Sequence, residues 1–207
     1  MTISTKPSIG LTQFIDFTVK QTMISKMNKV TEIKHQGDYH PARDHWKQLR
    51  ERIKLCYEQN KSLDTLDSLL DEIHERKINS YKDTIKAYKK FVRNKDIEWF
   101  DPPKAFWTSD NGLVVRGTPE LGLVINGTPH LIKLFFKGDT VKLTARNIKP
   151  ILNLMLAATY KSPYPPNTVF GVLNIKSGKL HADQQTDDKV LKALNLEAQT
   201  FLNIWET

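Results

Sequence analysis

The residues whose types and spacing could do chemistry lie in one stretch, Gly112 to Lys137, GLVVRGTPELGLVINGTPHLIKLFFK. Within it, Asn126-Gly127 separates two runs rich in β-branched and aliphatic residues, the strongest local signal for a two-residue hairpin turn. With those two as the loop, alternation fixes the register: Ile125 faces Thr128, Leu123 faces His130, Leu121 faces Ile132 and Glu120 faces Lys133. One face then carries Leu121, Leu123, Ile125, His130, Ile132 and Leu134. The other carries Glu120, Val124, Leu131, Lys133, Phe135 and Lys137. A carboxylate and an ammonium thus stand side by side in apolar company. Taken alone, such a pair is a cross-strand ion pair contributing roughly 0.2–1 kcal/mol.

A second concentration of reactive types is His35, Asp38, His40, Asp44 and His45, between His35 and Trp46. Metal ligands are drawn from these residues, but no recognised ligand spacing is present. Pro41 in the first turn of a helix, with Asp44 near its positive end, accounts for the segment better. The single cysteine, Cys56, excludes an intramolecular disulfide and a cysteine-rich zinc site, and its neighbours place it in or near the core. No nucleophile elbow, phosphate loop, H-E-x-x-H or dinucleotide fingerprint occurs.

The elements that must position these residues are legible in outline. Phe14, Phe17, Ile24 and Met27 mark a first helix over 12–30, and Trp46, Leu49, Ile53 and Tyr57 a second over about 41–60. Ser62 or Asp64 starts a third. Ile78, Tyr81, Ile85, Tyr88 and Val92 make the apolar stripe of a fourth, over 77–94, with the tyrosines in the core. Gly117-Thr118-Pro119-x-Leu121 recurs ten residues later as Gly127-Thr128-Pro129-x-Leu131, which reads as a three-strand antiparallel meander beginning at Leu113–Arg116. A buried helix to Tyr160, interrupted by Pro150, follows the breaker Gly138-Asp139 and a cap at Thr144. A strand over 169–176, a hairpin through Ser177-Gly178 and a closing helix from Asp187 to Trp205 complete the chain. The fold class is α+β in the order αβββαβα from residue 77. A basic helical region, 1–95, packs against an α+β domain, 96–207, through the aromatic junction 97–107.

The chain carries a net charge of +8, and residues up to Lys95 hold 19 of its 31 basic side chains against 12 of its 23 acidic ones. Lys82, Lys86, Lys89, Lys90 and Arg93 form a basic stripe beside the apolar stripe of the fourth helix. It reads either as a solvated face or as a track for nucleic-acid phosphates. The absence of a long apolar run or signal-like segment fits a cytoplasmic protein with no membrane partner.

The order helix, three antiparallel strands, helix, strand resembles the restriction-endonuclease-like, or PD-(D/E)XK, superfamily, with Pro119-Glu120 and Lys133 in the matching places. That resemblance implies a carboxylate near the second strand and an (Asp/Glu)-x-Lys on the third converging on Mg²⁺, which activates water while the lysine assists. On it, Glu120 would be catalytic and a metal ligand and Lys133 catalytic. The chain departs from the pattern at Leu131, where the third-strand acid should stand. Asp110 or Asp139 could supply a carboxylate from adjoining loops. The string PELGL…NG…HLIKLFFK…GVLNIKSGKL also resembles a family of uncharacterised bacterial proteins. Three expectations follow: a nucleic-acid-associated protein with a degenerate nuclease-like core, a scaffold or regulatory subunit with a protein partner, or a Mg²⁺-dependent nuclease.

Overall fold

Two mixed β-sheets organise the chain in the structure, a computed structural model that describes residues 7–36, 44–136 and 145–207. The first sheet has the order β1–β4–β3–β7, built from Ser8–Gly10, Val114–Arg116, Ala105–Thr108 and Thr159–Tyr160. The second has the order β2–β5–β6–β8–β9, built from Ile97–Phe100, Leu121–Ile125, Thr128–Phe135, Val169–Asn174 and Lys179–Asp183. The helices are α1 (Leu11–Thr18), α2 (Met23–His35), α3 (Lys47–Glu58), α4 (Glu75–Val92), α5 (Ala145–Leu156) and α6 (Asp188–Glu206), with a 3-10 helix at Leu63–Asp71. The α+β class read from the sequence is the class observed.

The hairpin β5–β6 has the register that its turn dictates, from Ile125 opposite Thr128 to Leu121 opposite Ile132. Asn126 (φ 49°) and Gly127 (φ 80°) are both left-handed, as a turn matching the twist of the strands requires. Alternation then splits the apolar side chains between two cores. Leu121, Leu123, Ile125, Ile132 and Leu134 pack with Leu49, Ile53, Tyr81, Ile85 and Tyr88 beneath α3 and α4. Leu131, Phe170 and Val172 pack on the opposite face with residues of α1, α2, α5 and α6. α3 and α4 therefore cover one face of the larger sheet, and α5 packs on the other, with α1 and α6 against it. The aromatic junction touches both groups: Trp99 stacks on Tyr57 of α3, and Trp107 on Phe14 of α1.

The expected meander is corrected at its first strand. β4 does not pair with β5; it lies between β1 and β3 in the smaller sheet, and β2 takes the place beside β5. Around 117–120 the chain turns a corner between sheets, because Gly117 N–H donates to Ala105 O and Thr118 Oγ1 accepts from Ala105 N. The repeated Gly-Thr-Pro thus serves two geometries, a corner at 117–119 and a hairpin turn leading into β6 at 127–129. The junction supplies two strands, β2 and β3, on either side of Pro102-Pro103, which cannot donate to a ladder.

Other expectations shift in detail. The first helix is two: α1 ends at Thr18, and Thr22 caps α2 by accepting from Ser25 N. After this break the stripe rotates, so Val30 and Ile33 are buried while Ile24 and Met27 are 72% and 46% exposed. The third helix is 3-10, with Thr65 and Ser68 hydroxyls donating to carbonyls three residues back. α5 starts at Ala145, runs through Pro150 and ends at Leu156; Thr159 and Tyr160 form β7 instead of its last turn. Asp38, His40, Pro41, Lys137, Gly138, Asp139 and Thr144 lie outside the described residues.

Candidate functional site

Glu120 sits one residue before β5, and its backbone N–H donates to Ile132 O, which extends the ladder and places it opposite Lys133. Lys133 Nζ donates to Glu120 Oε1 at 2.6 Å and to Thr118 O at 2.9 Å, while Glu120 Oε2 accepts from Leu134 N at 2.8 Å. Both carboxylate oxygens are engaged, and the two side chains retain only 21% and 17% of their exposure. The pair is also one end of a longer connection. Lys133 holds the Thr118 carbonyl, and the Thr118 hydroxyl holds Ala105 N–H in the other sheet. Glu120 and Lys133 thereby pin the corner at which the chain crosses between sheets.

A cleft of about 760 Å³ opens beside this corner. Its wall is α3, which contributes Lys47, Arg50, Glu51 and Lys54; Asp101, Lys104 and Lys161 complete the charged rim around Glu120. Lys47 pairs with Glu51 at 3.5 Å, Lys54 lies 3.3 Å from Glu58 and 3.6 Å from Asp101, and Arg50 is held by Asp44. Lys104 and Lys161 make no ion pair among the described residues. They are adjacent, because Lys161 N–H donates to Lys104 O at 2.9 Å. Pairs of the i,i+4 kind on a helix surface are weak, so Lys47 and Lys54 can turn to an incoming anion. None of the five basic residues stands out in the sequence. They come from three separate segments, and only the pairing of the two sheets brings them together.

The basic stripe of α4 is exposed as expected, apart from Lys89. Lys82, Lys86, Lys90 and Arg93 point to solvent. Lys89 bends to the 3-10 helix and binds Asp67 at 2.8 Å and Asp64 at 3.0 Å. Partial burial opposes its charge, but these two carboxylates prevail and raise its pKa. The tyrosines of α4 are core residues: Tyr81 donates to His45 O, and Tyr88 shares a hydroxyl–hydroxyl bond of 2.9 Å with Tyr57. Burial pushes the Tyr88 hydroxyl well above its usual pKa, so it stays protonated.

The metal-ligand types near His35 do not converge among the described residues. His35 Nδ1 meets Thr31 O, Asp44 binds Arg50, and a ring nitrogen of His45 meets Ser80 Oγ. Asp110 is docked through its backbone N–H on Asn195 of α6. No group of three or more His, Cys, Asp or Glu side chains placed to hold a metal occurs among the described residues. The donor set around Glu120 does not fit Mg²⁺, which takes several oxygen ligands. The Glu120 carboxylate is bound on both oxygens, and the side chain two residues before Lys133 is Leu131, fully buried. No helix among the described residues is long and apolar enough to cross a membrane. No protein-family model matches the chain, and no curated protein sequence is significantly similar to it.

Proposed function

We propose that this protein associates with nucleic acid through a core that is nuclease-like in its order of elements and silent in Mg²⁺-dependent cleavage. Support for the nuclease-like part is the succession around the larger sheet: α4, then β2, β5 and β6, each antiparallel to its neighbour, then α5, then β8 parallel to β6. Two strands of the smaller sheet, β3 and β4, are inserted between β2 and β5, and β7 lies between α5 and β8. Silence follows from the engaged Glu120 carboxylate and from Leu131. The observation that carries association is the excess of basic groups in the cleft. Five basic side chains, with Glu51 and Asp101 among them, ring a corner whose own carboxylate is paired with Lys133, and Lys104 and Lys161 make no ion pair among the described residues. The exposed face of α4, with Lys82, Lys86, Lys90 and Arg93, adds a second positive surface.

The test is fluorescence-polarisation titration with labelled DNA and RNA at several salt concentrations, with Mg²⁺ and with chelator. Binding whose logarithm falls linearly with the logarithm of salt is expected, with no Mg²⁺-dependent loss of signal. No binding at low salt overturns the proposal, and cleavage abolished in Glu120→Ala overturns its silent part. The second reading, a subunit of a protein assembly, is favoured by one observation. Met23, Ile24 and Met27 stand 57%, 72% and 46% exposed on α2. It predicts no nucleic-acid affinity at physiological salt.

A further inference from the structure

The smaller sheet turns one face to the core and the other outward. Ala105, Trp107 and Val115 point inward and are buried. Alternation therefore sends Phe106, Val114 and Arg116 to the opposite face, where they line a second cleft of about 320 Å³ together with Lys104, Thr118 and Lys161. Lys104, Thr118 and Lys161 line the larger cleft as well, so the two form one groove running from α3 over the corner and onto the sheet. Phe106 is half-buried, while Lys104, Arg116 and Lys161 are exposed.

The arrangement is specific in its chemistry. Phe106 and Arg116 are direct cross-strand partners in the antiparallel pair β3–β4, which sets their Cβ atoms about 5 Å apart. Arg116 keeps one hydrogen bond, from Nη1 to Ser8 Oγ at 3.3 Å, and no ion pair among the described residues. On the other side Phe106 faces Thr159 of β7, and beyond that pair the backbone bond from Lys161 N–H to Lys104 O brings two lysine positions side by side at the sheet end. An aromatic ring beside Arg116, with two lysines at the near end of the same outward face, suits a single-stranded polynucleotide. Successive bases stack on apolar rings while the backbone follows the cations. A duplex hides its base faces and gains nothing from Phe106.

The geometry points to the outer face of the smaller sheet as a binding surface for single-stranded nucleic acid. Phe106 is the stacking platform, and Lys104, Lys161 and Arg116 meet the phosphates. The inference rests on the reading of a nucleic-acid-associated protein and names the strand type that protein takes.

The experiment titrates the full chain with labelled oligothymidylate and oligouridylate of about 12 nucleotides and with a duplex of the same length. Single strands are expected to bind more tightly than the duplex. Phe106→Ala should weaken single-strand binding about tenfold, while Phe106→Tyr retains it. Because Phe106 is half-buried, Lys104→Glu/Lys161→Glu provides an independent arm on exposed side chains. It should weaken single-strand binding at least tenfold and make the salt slope shallower by about 1.4, which is about 0.7 for each phosphate no longer neutralised. If the protein binds nucleic acid but Phe106→Ala changes single-strand affinity less than twofold, or the double lysine variant leaves it intact, the inference is overturned while the proposed function stands. If neither single strand nor duplex binds at low salt, both are overturned.

Discussion

Replacing Glu120 by alanine separates a structural carboxylate from a metal ligand, because the two roles predict opposite signs. In the structure the side chain makes a charge-assisted bond to Leu134 N–H and an ion pair with Lys133, which then holds Thr118. Removing it leaves a ladder-edge N–H without its acceptor and a lysine whose side chain is only 17% exposed. Hydrogen bonds to charged groups are worth about 1.5–3 kcal/mol net, and residual exposure of both partners screens the ion pair. A loss of about 2 kcal/mol is the expected outcome. For a chain of this size that lowers Tm by about 4–8 °C. Glu120→Gln keeps an acceptor for Leu134 N–H and should lose about half as much. The assay is thermal and urea unfolding of wild type and both variants, with and without Mg²⁺. A clustered metal site carries unrelieved repulsion, so deleting a ligand stabilises the apo protein, and Mg²⁺ stabilises wild type alone by mass action. A neutral or stabilising Glu120→Ala, or a Mg²⁺-dependent rise in Tm that the variant lacks, would refute the structural assignment.

Four further outcomes follow from the same geometry. Gly122→Ala should unpair β2 and cost about 3 kcal/mol or more, since a Cβ there would overlap the Phe100 carbonyl oxygen and ring; urea unfolding measures it, and a loss below about 1 kcal/mol contradicts the pairing of β2 with β5. His45 is held below its usual pKa by partial burial and then by Lys77, and His181 by burial and then Lys179. Each is favoured neutral in the fold, so their contribution to stability is complete above about pH 6.5 and is lost as pH falls through the lower folded values; imidazole NMR titrations should give midpoints below about 6.5 for both. Lys89→Ala should leave the salt slope of nucleic-acid binding unchanged, because Asp64 and Asp67 already hold that ammonium, whereas the slope of Lys86→Ala reads directly whether the α4 face meets phosphates. Leu131→Glu should destabilise by about 3 kcal/mol or more without conferring Mg²⁺-dependent cleavage, because the new carboxylate enters the apolar core of Phe170 and Val172; cleavage by that variant would contradict the assignment of position 131 to the core and of Glu120 to its ion pair.

What could be read from the sequence was local. Asn126-Gly127 determines its own turn, and a two-residue loop leaves one register, so the Glu120–Lys133 juxtaposition followed by counting. The stripe of α4 was equally plain, since eighteen residues of regular period leave little choice of buried face. The smaller sheet was not legible. Its strands are two to four residues long, from four separated segments, and β1 pairs with β4 across more than a hundred positions. Stretches so short carry no period, and Pro102-Pro103 disguised β2 and β3 as a loop. The rotation of the stripe between α1 and α2 was hidden for a different reason. Thr22 and Ser25 make a cap that composition does not advertise, and without the break Ile24 and Met27 fall on the buried side.

The candidate site follows the same division, and this bears on its function. Glu120 and Lys133 are adjacent through a turn, so their pairing needs nothing beyond the hairpin. The cations around them need both sheets. Lys104 lies just before β3, Lys161 just after β7, and Lys47, Arg50 and Lys54 on α3, which packs beneath the larger sheet. The corner at 117–120 is what holds these parts together, and Glu120 secures it through Lys133 and Thr118 to Ala105. A carboxylate released to bind a metal would give up that connection. A carboxylate kept in its ion pair with Lys133 preserves that corner and has its own charge balanced there. Glu120 and Lys133 therefore hold together the corner around which these basic side chains gather, with Leu131 committed to the core.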